Sequence, residues 1–307
     1  MFDLIIVGGG PAGITAGIYA ARKKIKTLLI SKDFVGQAGK TSLIENWPGV
    51  KSISGIKLLE NLKKHLEKFK IDIKEGEEIV EIRKNKDFFE VITSQNNKYS
   101  SQAVIITSGT NPRHLNVPGE KEFIGRGISF CGTCDAPFFK DKTVAVVGGG
   151  NAGFETALDL TKYAKKVYIL ESFAEIRADE VLLEQVKKNK KIEIIFPVQI
   201  KEIKGEKFIS SLVYQENESK KLKELNLEGV FIQIGQVPAG RLARNLVDFN
   251  EKNEIEINPQ TNETKTPGLF AAGDVTSNPF KQIIIAAGEG AKALLSCHRW
   301  LKKNNKI

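Results

Sequence analysis

Cys131 and Cys134, near the middle of the chain, are the residues best suited to carry chemistry. They are separated by two residues, and the sequence contains one other cysteine, Cys297. A Cys-x-x-Cys pair is typical of half a zinc site or of a redox-active dithiol. A zinc site needs two further ligands at metal spacing, and none of the three histidines supplies a second pair of that kind. The pair is therefore interpreted as a redox dithiol, zinc is the weaker alternative, and no metal is predicted.

Asp135 directly follows the pair and is the candidate acid or base for it. Thiol–disulfide exchange needs a thiolate, and a free cysteine with a pKa of about 8.5 is mostly protonated at neutral pH. A carboxylate at this position can accept the proton and return it. An Asp ahead of a helix also accepts hydrogen bonds from the first backbone N–H groups. A helix-capping role for Asp135 therefore stays open.

Two glycine-rich turns are the elements expected to bind the cofactors that deliver electrons to the pair. Each follows an apolar run that indicates a buried strand and precedes a helix of small residues, which is the start of a dinucleotide-binding βαβ unit. The glycines let the backbone approach a pyrophosphate at the positive end of the helix. Two correctly flanked copies predict two bound dinucleotides. The motif residues are Gly8, Gly10 and Gly13 in the first copy, and Gly148, Gly150, Asn151 and Gly153 in the second.

The residue after the second strand of each unit indicates which dinucleotide is bound. That residue is Ser31 in the first unit and Glu171 in the second. An acidic residue there accepts hydrogen bonds from an unmodified ribose and repels a 2′-phosphate. Glu171 therefore predicts NADH at the second site. Arg177 follows on the same segment and is suited to hold a phosphate, so NADPH is the alternative.

Other loops and strand ends are placed to complete the first site. Gln37 and Asn46 lie in loops that bracket a ligand, and Gln282 opens the last helix. A strand near the C-terminus delivers Gly273 and Asp274 to its carboxyl end, where open α/β sheets bind ligands. The fold class predicted is α/β, with two Rossmann-like dinucleotide-binding domains.

Length and composition limit the class of protein. The chain has 307 residues, of which 41% are hydrophobic and 27% charged, enough for two globular domains. Its net charge is +9, but the lysines are scattered and not gathered with aromatic residues, so no nucleic-acid partner is predicted. No apolar run approaches the roughly 18–20 residues that cross a bilayer, and the N-terminus lacks the features of a signal peptide. A cytoplasmic location without membrane association is expected.

Together these motifs closely resemble those of the low-molecular-weight thioredoxin reductases. The resemblance covers essentially the whole chain, with the motifs in the same order and spacing. The segments Leu170-Glu171-Ser172-Phe173 and Lys281-Gln282-Ile283-Ile284-Ile285-Ala286-Ala287-Gly288-Glu289-Gly290 also resemble the flavoprotein component of bacterial alkyl hydroperoxide reductase. Besides the glycine turns, the segments that carry the resemblance are Glu45-Asn46-Trp47-Pro48-Gly49, Cys131-Gly132-Thr133-Cys134-Asp135 and Phe270-Ala271-Ala272-Gly273-Asp274.

The resemblance implies a domain plan and a set of cofactor contacts. The FAD domain would be discontinuous, residues 1–115 plus 246–307, with an NAD(P)H domain of residues 116–245 inserted and carrying the Cys pair. A homodimer is the usual assembly of the family. FAD would lie over the first glycine turn. Its further contacts would come from Gln37, Asn46, Asp274 at the ribitol, and Gln282 near the flavin ring.

The resemblance also implies roles for the central residues. Cys134 would exchange electrons with the flavin, Cys131 would attack the disulfide of the partner protein, and Asp135 would shuttle the proton. The nucleotide domain would rotate about linkers near residues 118–119 and 238–240. NADPH-specific members of the family carry His-Arg-Arg where this chain has Glu171-Ser172-Phe173. This departure implies a preference for NADH.

The function expected is an NADH-preferring, FAD-containing reductase of thioredoxin or of a thioredoxin- or glutaredoxin-like protein. Two alternatives within the same class are a peroxidase-linked NADH dehydrogenase or oxidase, and a thioredoxin reductase fed by ferredoxin. A nucleotide-binding redox sensor without turnover is an alternative from another class. The intact Cys pair followed by Asp135 disfavours it.

Overall fold

The structure, a computed structural model, describes residues 1–40 and 44–307; the side chains of Lys40, Thr133 and Cys134 lie outside the description. It divides into two compact units. Unit 1 comprises Met1–Asn111 and Val237–Ile307, and unit 2 comprises Pro112–Gln236. Unit 1 is therefore discontinuous in sequence, and unit 2 is inserted into it.

Strands and helices alternate in the first part of each unit, and a run of consecutive strands follows in each. The strands are β1 (Phe2–Val7), β2 (Thr27–Ser31), β3 (Asp72–Glu75), β4 (Ile79–Lys84), β5 (Phe89–Thr93), β6 (Lys98–Ile106), β7 (Thr110–Pro112), β8 (Ile128–Ser129), β9 (Thr143–Val147), β10 (Lys166–Leu170), β11 (Ile192–Ile195), β12 (Val198–Gly205), β13 (Ile209–Glu216), β14 (Leu222–Asn226), β15 (Gly229–Ile232), β16 (Gln236–Pro238) and β17 (Leu269–Ala271). The helices are α1 (Pro11–Arg22), α2 (Gly55–Glu67), α3 (Glu120–Phe123), α4 (Gly132–Asp135), α5 (Asn151–Leu160), α6 (Glu180–Lys188) and α7 (Ile283–Lys303). Short 3-10 turns cover Ala38–Lys40, Ala136–Phe139 and Arg241–Ala243.

A sheet forms the centre of unit 1. Its strands run in the order β3-β2-β1-β6, all parallel. The C-terminal part of β6 pairs in parallel with β17, and its N-terminal part pairs antiparallel with β5, which pairs with β4. The parallel part has the order of a dinucleotide-binding domain. The expected α/β fold is confirmed in unit 1.

The residues of β1 show why this sheet forms. Leu4 and Ile6 point into one hydrophobic cluster and Ile5 and Val7 into another, and each is at most 2% exposed. Side chains of a strand alternate between the two faces of its sheet, so a fully apolar run fits a strand that is covered on both sides. Helices α1, α2 and α7 supply the cover on the first face.

Unit 2 repeats the same plan. Its parallel sheet has the order β11-β10-β9-β15-β8. Strands β12, β13 and β14 form an antiparallel sheet, equivalent to β4 and β5 of unit 1. Helices α4, α5 and α6 belong to this unit, and α4 packs against α5. The expected second dinucleotide-binding fold is therefore present.

The unit boundaries differ from those expected from the sequence, which were 115/116 and 245/246. The structure places them at 111/112 and 236/237. Residues 117–120 belong to unit 2, because Ile203 N donates to Pro118 O (3.0 Å) and a Cβ at Gly119 would lie 1.9 Å from Ile203 O. On the other side, Ala243 and Val247 are buried in the core of unit 1.

Within residues 1–40 and 44–307, no helix is both long and apolar enough to span a membrane.

Candidate functional site

The first glycine turn, between β1 and α1, is packed so closely that side chains are excluded from it. Gly8 has φ +113°, and a Cβ there would lie 2.4 Å from Thr107 O. A Cβ at Gly13 would lie 1.9 Å from Gly8 O, whereas no atom lies within 4 Å of the corresponding position at Gly10. Gly8 and Gly13 bring the start of α1 against the end of β1. Gly10 presents bare backbone to open space, which suits a pyrophosphate at the helix N-terminus.

Six of the eight predicted flavin-site residues of unit 1 line one cavity of about 580 Å³, and Gly13 and Asn46 are not on its wall. This volume lies within the range of about 300–1,000 Å³ that is usual for ligand pockets. Gln37 Nε2 donates to Thr110 O (3.2 Å), and Asn46 Nδ2 donates to Gln282 Oε1 (3.1 Å), so Asn46 meets the residue at the start of α7. The predicted residues on the cavity wall are Gly8, Gly10, Gln37, Gly273, Asp274 and Gln282. The cavity and its bare glycine backbone fit FAD.

Asp274 lies at the end of β17 beside a second carboxylate that sequence reasoning missed. Glu289, on α7 and 4% exposed, accepts hydrogen bonds from Gly273 N (2.7 Å) and Asn278 Nδ2 (2.5 Å). Burial raises the pKa of Asp274, Glu289 raises it further, and Lys281 acts in the opposite direction. A neutral hydroxyl donor, such as a ribitol, would give Asp274 a partner without adding charge.

The second glycine turn, between β9 and α5, repeats the geometry of the first. Gly148 has φ +126°, and a Cβ at Gly153 would lie 1.9 Å from Gly148 O. Nothing lies within 4 Å of a Cβ position at Gly150. Asn151, at the start of α5, donates from Nδ2 to Asp179 Oδ2 (2.8 Å) and accepts from Asp179 N (2.8 Å). The bare backbone of this turn is equally suited to a dinucleotide.

Glu171 is held as an ionised acceptor beside the second glycine turn. Its Oε2 accepts from Gly149 N (2.5 Å), and its Oε1 accepts from Ser172 N (2.5 Å), Ser172 Oγ (3.0 Å) and Phe173 N (2.9 Å). Burial alone would raise the pKa of Glu171, but the hydrogen bonds from Phe173, Gly149 and Ser172 outweigh it and keep the pKa below its ordinary value. Oε2 has the capacity to accept a further hydrogen bond.

Arg177, the candidate phosphate ligand, is stacked on an aromatic ring. The centre of its guanidinium lies 3.8 Å from the centroid of the Phe173 ring, and its N donates to Gly149 O (3.2 Å). Phe173 is 52% exposed. The cation is therefore near Glu171 along the same loop, with one face of its guanidinium covered by the ring.

The Cys pair lies at the start of α4. Cys131 is half-buried and disulfide-bonded, whereas Cys297 is a buried free thiol whose pKa is raised by burial. The side chain of Cys134 is outside the described residues. Gly132 lies against α5, since a Cβ there would lie 2.5 Å from Cγ2 of Thr156. The fold thus sets the pair against the helix that begins at the second glycine turn.

Asp135 lies at the end of α4, partly exposed, and its N donates to Cys131 O (3.3 Å). It precedes the 3-10 turn Ala136–Phe139, and in the described part of the chain its side chain makes no capping hydrogen bond to that turn. The capping interpretation left open by the sequence is therefore not what the structure has. A proton-transfer role for Asp135 therefore stays a prediction.

The structure describes no group of three or more His, Cys, Asp or Glu side chains arranged to hold a metal ion, within residues 1–40 and 44–307.

The residues missed by sequence reasoning had weak signals. Glu289 stands between Gly288 and Gly290 inside a helix, and a carboxylate between two glycines on a helix that packs closely on another is a sign of an inward-facing role. Ser129, whose hydroxyl contacts the backbone of Cys131, had no signal beyond its position two residues before the pair.

Comparison with known proteins gives a consistent result. The family model described as pyridine nucleotide-disulphide oxidoreductase matches residues 2–290. A protein named NADH dehydrogenase from Bacillus subtilis is 40% identical over 303 residues, 99% of this chain and 59% of that protein. One subunit of the alkyl hydroperoxide reductase of Staphylococcus epidermidis is 38% identical over 303 residues, 99% of this chain and 60% of that protein. The chain spans about three fifths of these relatives.

A solved structure of Lactococcus lactis thioredoxin reductase has the same fold. It superposes with a TM-score of 0.87 and 34% identity, covering 99% of this chain and 100% of that one. The resemblance and the α/β fold expected from the sequence are both confirmed.

Proposed function

The chain belongs to the pyridine nucleotide-disulphide oxidoreductase family, and from this premise we propose that it reduces the disulfide of a thioredoxin-fold protein with electrons from NADH. It is an FAD-dependent oxidoreductase that uses a pyridine nucleotide. The observation that carries the proposal is the half-buried, disulfide-bonded Cys131, in a Cys-x-x-Cys pair that Asp135 directly follows. Thioredoxin is the first partner to test, since the solved relative is named a thioredoxin reductase.

Each of the two glycine turns would bind a different dinucleotide. In unit 1, Gly8, Gly10 and Gly13 shape the backbone that would hold the FAD pyrophosphate, and Asp274 would accept from the ribitol. When bound, FAD supplies two-electron transfer between the nicotinamide and a disulfide. In unit 2, the equivalent glycines would hold the second dinucleotide.

The protein disulfide would be reduced by two exchange steps at the Cys pair. The Cys131 thiolate attacks one sulfur of the partner disulfide, forming a mixed disulfide and releasing the other partner sulfur as a thiolate. Cys134 then attacks Cys131 Sγ, which breaks the mixed disulfide, releases the second partner sulfur and leaves the pair oxidised. Asp135 takes the proton from the attacking thiol and returns one to the leaving thiolate. The two electrons gained by the partner come from NADH.

The preference for NADH is supported by Glu171. Its carboxylate is ionised, and its Oε2 retains acceptor capacity for a ribose hydroxyl. A 2′-phosphate at the same place would meet like charge. The name NADH dehydrogenase, carried by the Bacillus subtilis relative, is consistent with this preference.

A second candidate function follows from that relative's name: an NADH dehydrogenase or oxidase that passes electrons from the flavin to a small acceptor. That relative is longer than this chain, which covers 59% of it. This candidate needs no turnover of the Cys pair.

One experiment separates the two functions. The purified yellow protein is reduced anaerobically by NADH or NADPH while the flavin absorbance is followed. Oxidised thioredoxin, a glutaredoxin-like protein or oxygen is then added. Rapid bleaching by NADH and rapid reoxidation by thioredoxin are expected. Reoxidation by oxygen alone would favour the oxidase. If neither nucleotide bleaches the flavin, a pyridine nucleotide is not the electron donor.

An exposed aromatic ring next to the Cys pair provides a partner contact. Phe138 is 73% exposed, within the 3-10 turn that follows α4, and exposed aromatic side chains often dominate protein interfaces. We expect Phe138→Ala to raise KM for thioredoxin by roughly tenfold, with kcat changed little. Steady-state kinetics of NADH-dependent thioredoxin reduction measure both.

Phe208→Ala is the matched control for this test. Phe208 is 67% exposed on the turn between β12 and β13, in the other sheet of unit 2. Its removal should leave KM unchanged. Equal effects of both variants, or none from Phe138→Ala, would count against this contact.

Asp274 is expected to have opposite effects on folding and on cofactor binding. Because its pKa is raised in the folded apoprotein, its contribution to stability is fully present below the ordinary Asp pKa and is lost as pH rises through the raised value. At neutral pH, Asp274→Asn should therefore raise the melting temperature of the apoprotein by a few degrees. It should weaken FAD binding by roughly tenfold, through loss of a charge-assisted hydrogen bond.

Calorimetry of the apoprotein and a fluorescence titration with FAD measure these two quantities. At a pH near 3.5 the stabilising effect should disappear. Weaker FAD binding together with a lower apoprotein melting temperature would indicate a general folding defect instead.

We further propose a homodimer and a cytoplasmic location, both on the family resemblance. Light scattering of the holoenzyme tests the first, and a monomer at micromolar concentration would refute it. Fractionation of the source cells tests the second.

A further inference from the structure

One buried hydroxyl holds the backbone of Cys131 on both sides of its Cα. Ser129, the last residue of β8, is 4% exposed. Its Oγ accepts a hydrogen bond from Cys131 N (3.0 Å) and donates one to Cys131 O (3.1 Å). A hydroxyl has one proton to donate and lone pairs to accept with, so both bonds can form at once.

These two bonds restrain the conformation of Cys131. The N–H belongs to the peptide before its Cα, and the C=O belongs to the peptide after it. Because both peptides are tied to one oxygen, φ and ψ of Cys131 cannot change freely. Ser129 is itself fixed, since it lies opposite Phe231 in the pairing of β8 with β15.

A second side chain holds the same peptide from its other edge. Gln233, just after β15, donates from Nε2 to Phe130 O (3.2 Å). Phe130 C=O and Cys131 N–H are the two polar groups of one peptide unit. That unit is therefore bound through its N–H by Ser129 and through its oxygen by Gln233.

We propose that Ser129 is a positioning residue for disulfide exchange, which sets the backbone of Cys131 so that its sulfur is aligned for attack. The proposal rests on the proposed function, because it assigns Ser129 a role through Cys131. The clamp is observed with Cys131 disulfide-bonded, and the proposal includes that it is tighter in this form than in the dithiol and therefore favours the disulfide.

Alignment matters because exchange depends on which sulfur is approached and from where. Small displacements of a reacting group are costly, and about 1 Å can lower a rate a hundredfold. Removing the Ser129 hydroxyl deletes both of its hydrogen bonds to the Cys131 backbone. That backbone can then sample conformations in which Sγ is poorly directed.

The first test compares Ser129→Ala and Ser129→Thr with the wild-type holoenzyme, using thioredoxin as the probe. Ser129→Ala should lower kcat for thioredoxin reduction by roughly tenfold and leave KM within about twofold. Ser129→Thr keeps the hydroxyl and suits a strand, so it should restore most of kcat. NADH-dependent reduction of ferricyanide, which bypasses the Cys pair, should be the same in all three proteins.

Three results would overturn the proposal: an unchanged kcat in Ser129→Ala, a Thr variant as slow as the Ala variant, or an equal loss of ferricyanide reduction. The last would show that the substitution damages the enzyme as a whole.

A second test needs no protein partner and no flavin turnover. Each protein is equilibrated with mixtures of oxidised and reduced dithiothreitol, and the fraction of reduced Cys pair is counted by alkylation. Ser129→Ala should shift the equilibrium roughly fivefold towards the dithiol, because it removes hydrogen bonds seen with the disulfide. Wild-type and Ala proteins with the same equilibrium would contradict a clamp on the oxidised form.

The two tests also separate this proposal from the proposed function. If wild-type enzyme reduces no thioredoxin but its Cys pair shifts with Ser129→Ala in dithiothreitol, the partner assignment fails and the clamp is supported. If thioredoxin is reduced and neither kcat nor the equilibrium changes in Ser129→Ala, the clamp fails and the reductase function stands.

Discussion

Replacing Cys134 by Ser should abolish thioredoxin reduction, by roughly a thousandfold or more, while NADH still bleaches the flavin. Without Cys134 the mixed disulfide between Cys131 and the partner cannot be resolved, so each enzyme molecule stops after one attack. Glu171 and the glycine turns, the proposed nucleotide contacts, are left unchanged by the substitution. Steady-state thioredoxin reduction tests the predicted loss of activity, and anaerobic flavin reduction by NADH tests the retained electron uptake. Both are measured on the same preparation.

The roles of the two cysteines are then distinguished by whether each Ser variant forms a covalent complex with thioredoxin. Prereduced Cys134→Ser enzyme should accumulate a covalent complex with oxidised thioredoxin, visible on a non-reducing gel, through the remaining Cys131. Cys131→Ser should be equally inactive and trap none. Trapping by the Cys131 variant alone would reverse the two assignments, and retained turnover in either would end the dithiol mechanism. Cys297→Ser is the control and should behave as wild type, since that thiol is buried.

Changing Glu171 and Phe173 together should convert the proposed preference for NADH into a preference for NADPH. In the double variant Glu171→Ala with Phe173→Arg, the ratio of kcat/KM for NADH to that for NADPH should fall by roughly a hundredfold or more. The substitution removes a carboxylate that repels a 2′-phosphate and adds a cation that binds it, each worth on the order of 1.5–3 kcal/mol.

Phe173 matters here because of the cation it covers. Arg177 now lies against the Phe173 ring at 3.8 Å, and a cation–π contact of this kind contributes about 0.5–1 kcal/mol at an exposed site. Removing the ring releases the guanidinium to meet a phosphate. The single variant Glu171→Ala should therefore give a smaller change than the pair.

Glu171→Gln is the matched control, because it removes the charge and keeps the volume. It should lower the preference for NADH only about tenfold. Ferricyanide is the acceptor in all these assays, so that the Cys pair does not enter the rates. A double variant that still prefers NADH by the wild-type margin would show that selectivity lies elsewhere.

Much of the fold could be predicted because the sequence repeats one local pattern twice. An apolar run, a glycine turn and a small-residue helix dictate their own geometry, since only glycine fits where a Cβ would meet a carbonyl at 1.9 Å, as at Gly13 and Gly153. Glu171 could be found because its spacing from the turn is fixed by the length of α5 and β10. These features depend on contacts between neighbouring elements.

The features that were missed depend on distant parts of the chain. Glu289 binds Gly273 N only because α7 lies across the end of β17, and the glycines on either side of Glu289 do not show where its carboxylate reaches. The two compact units meet at 111/112 and 236/237, whereas the domain limits expected from the sequence relied on Pro and Gly, which mark turns of any kind. Gly119 is a turn glycine packed under Ile203, inside unit 2 and not at its edge.

The chain enters and leaves unit 2 side by side, and this has a consequence for engineering. Arg113 N donates to Gly235 O (2.9 Å), so the chain is paired one residue inside each end of the insertion, and β7 and β16 pair as a two-stranded ribbon. A module whose ends meet can be exchanged without stretching the host that surrounds it. Grafting the equivalent segment of a relative between Asn111 and Val237 should therefore yield chimaeras that keep the flavin unit of this chain and take their coenzyme choice from the donor.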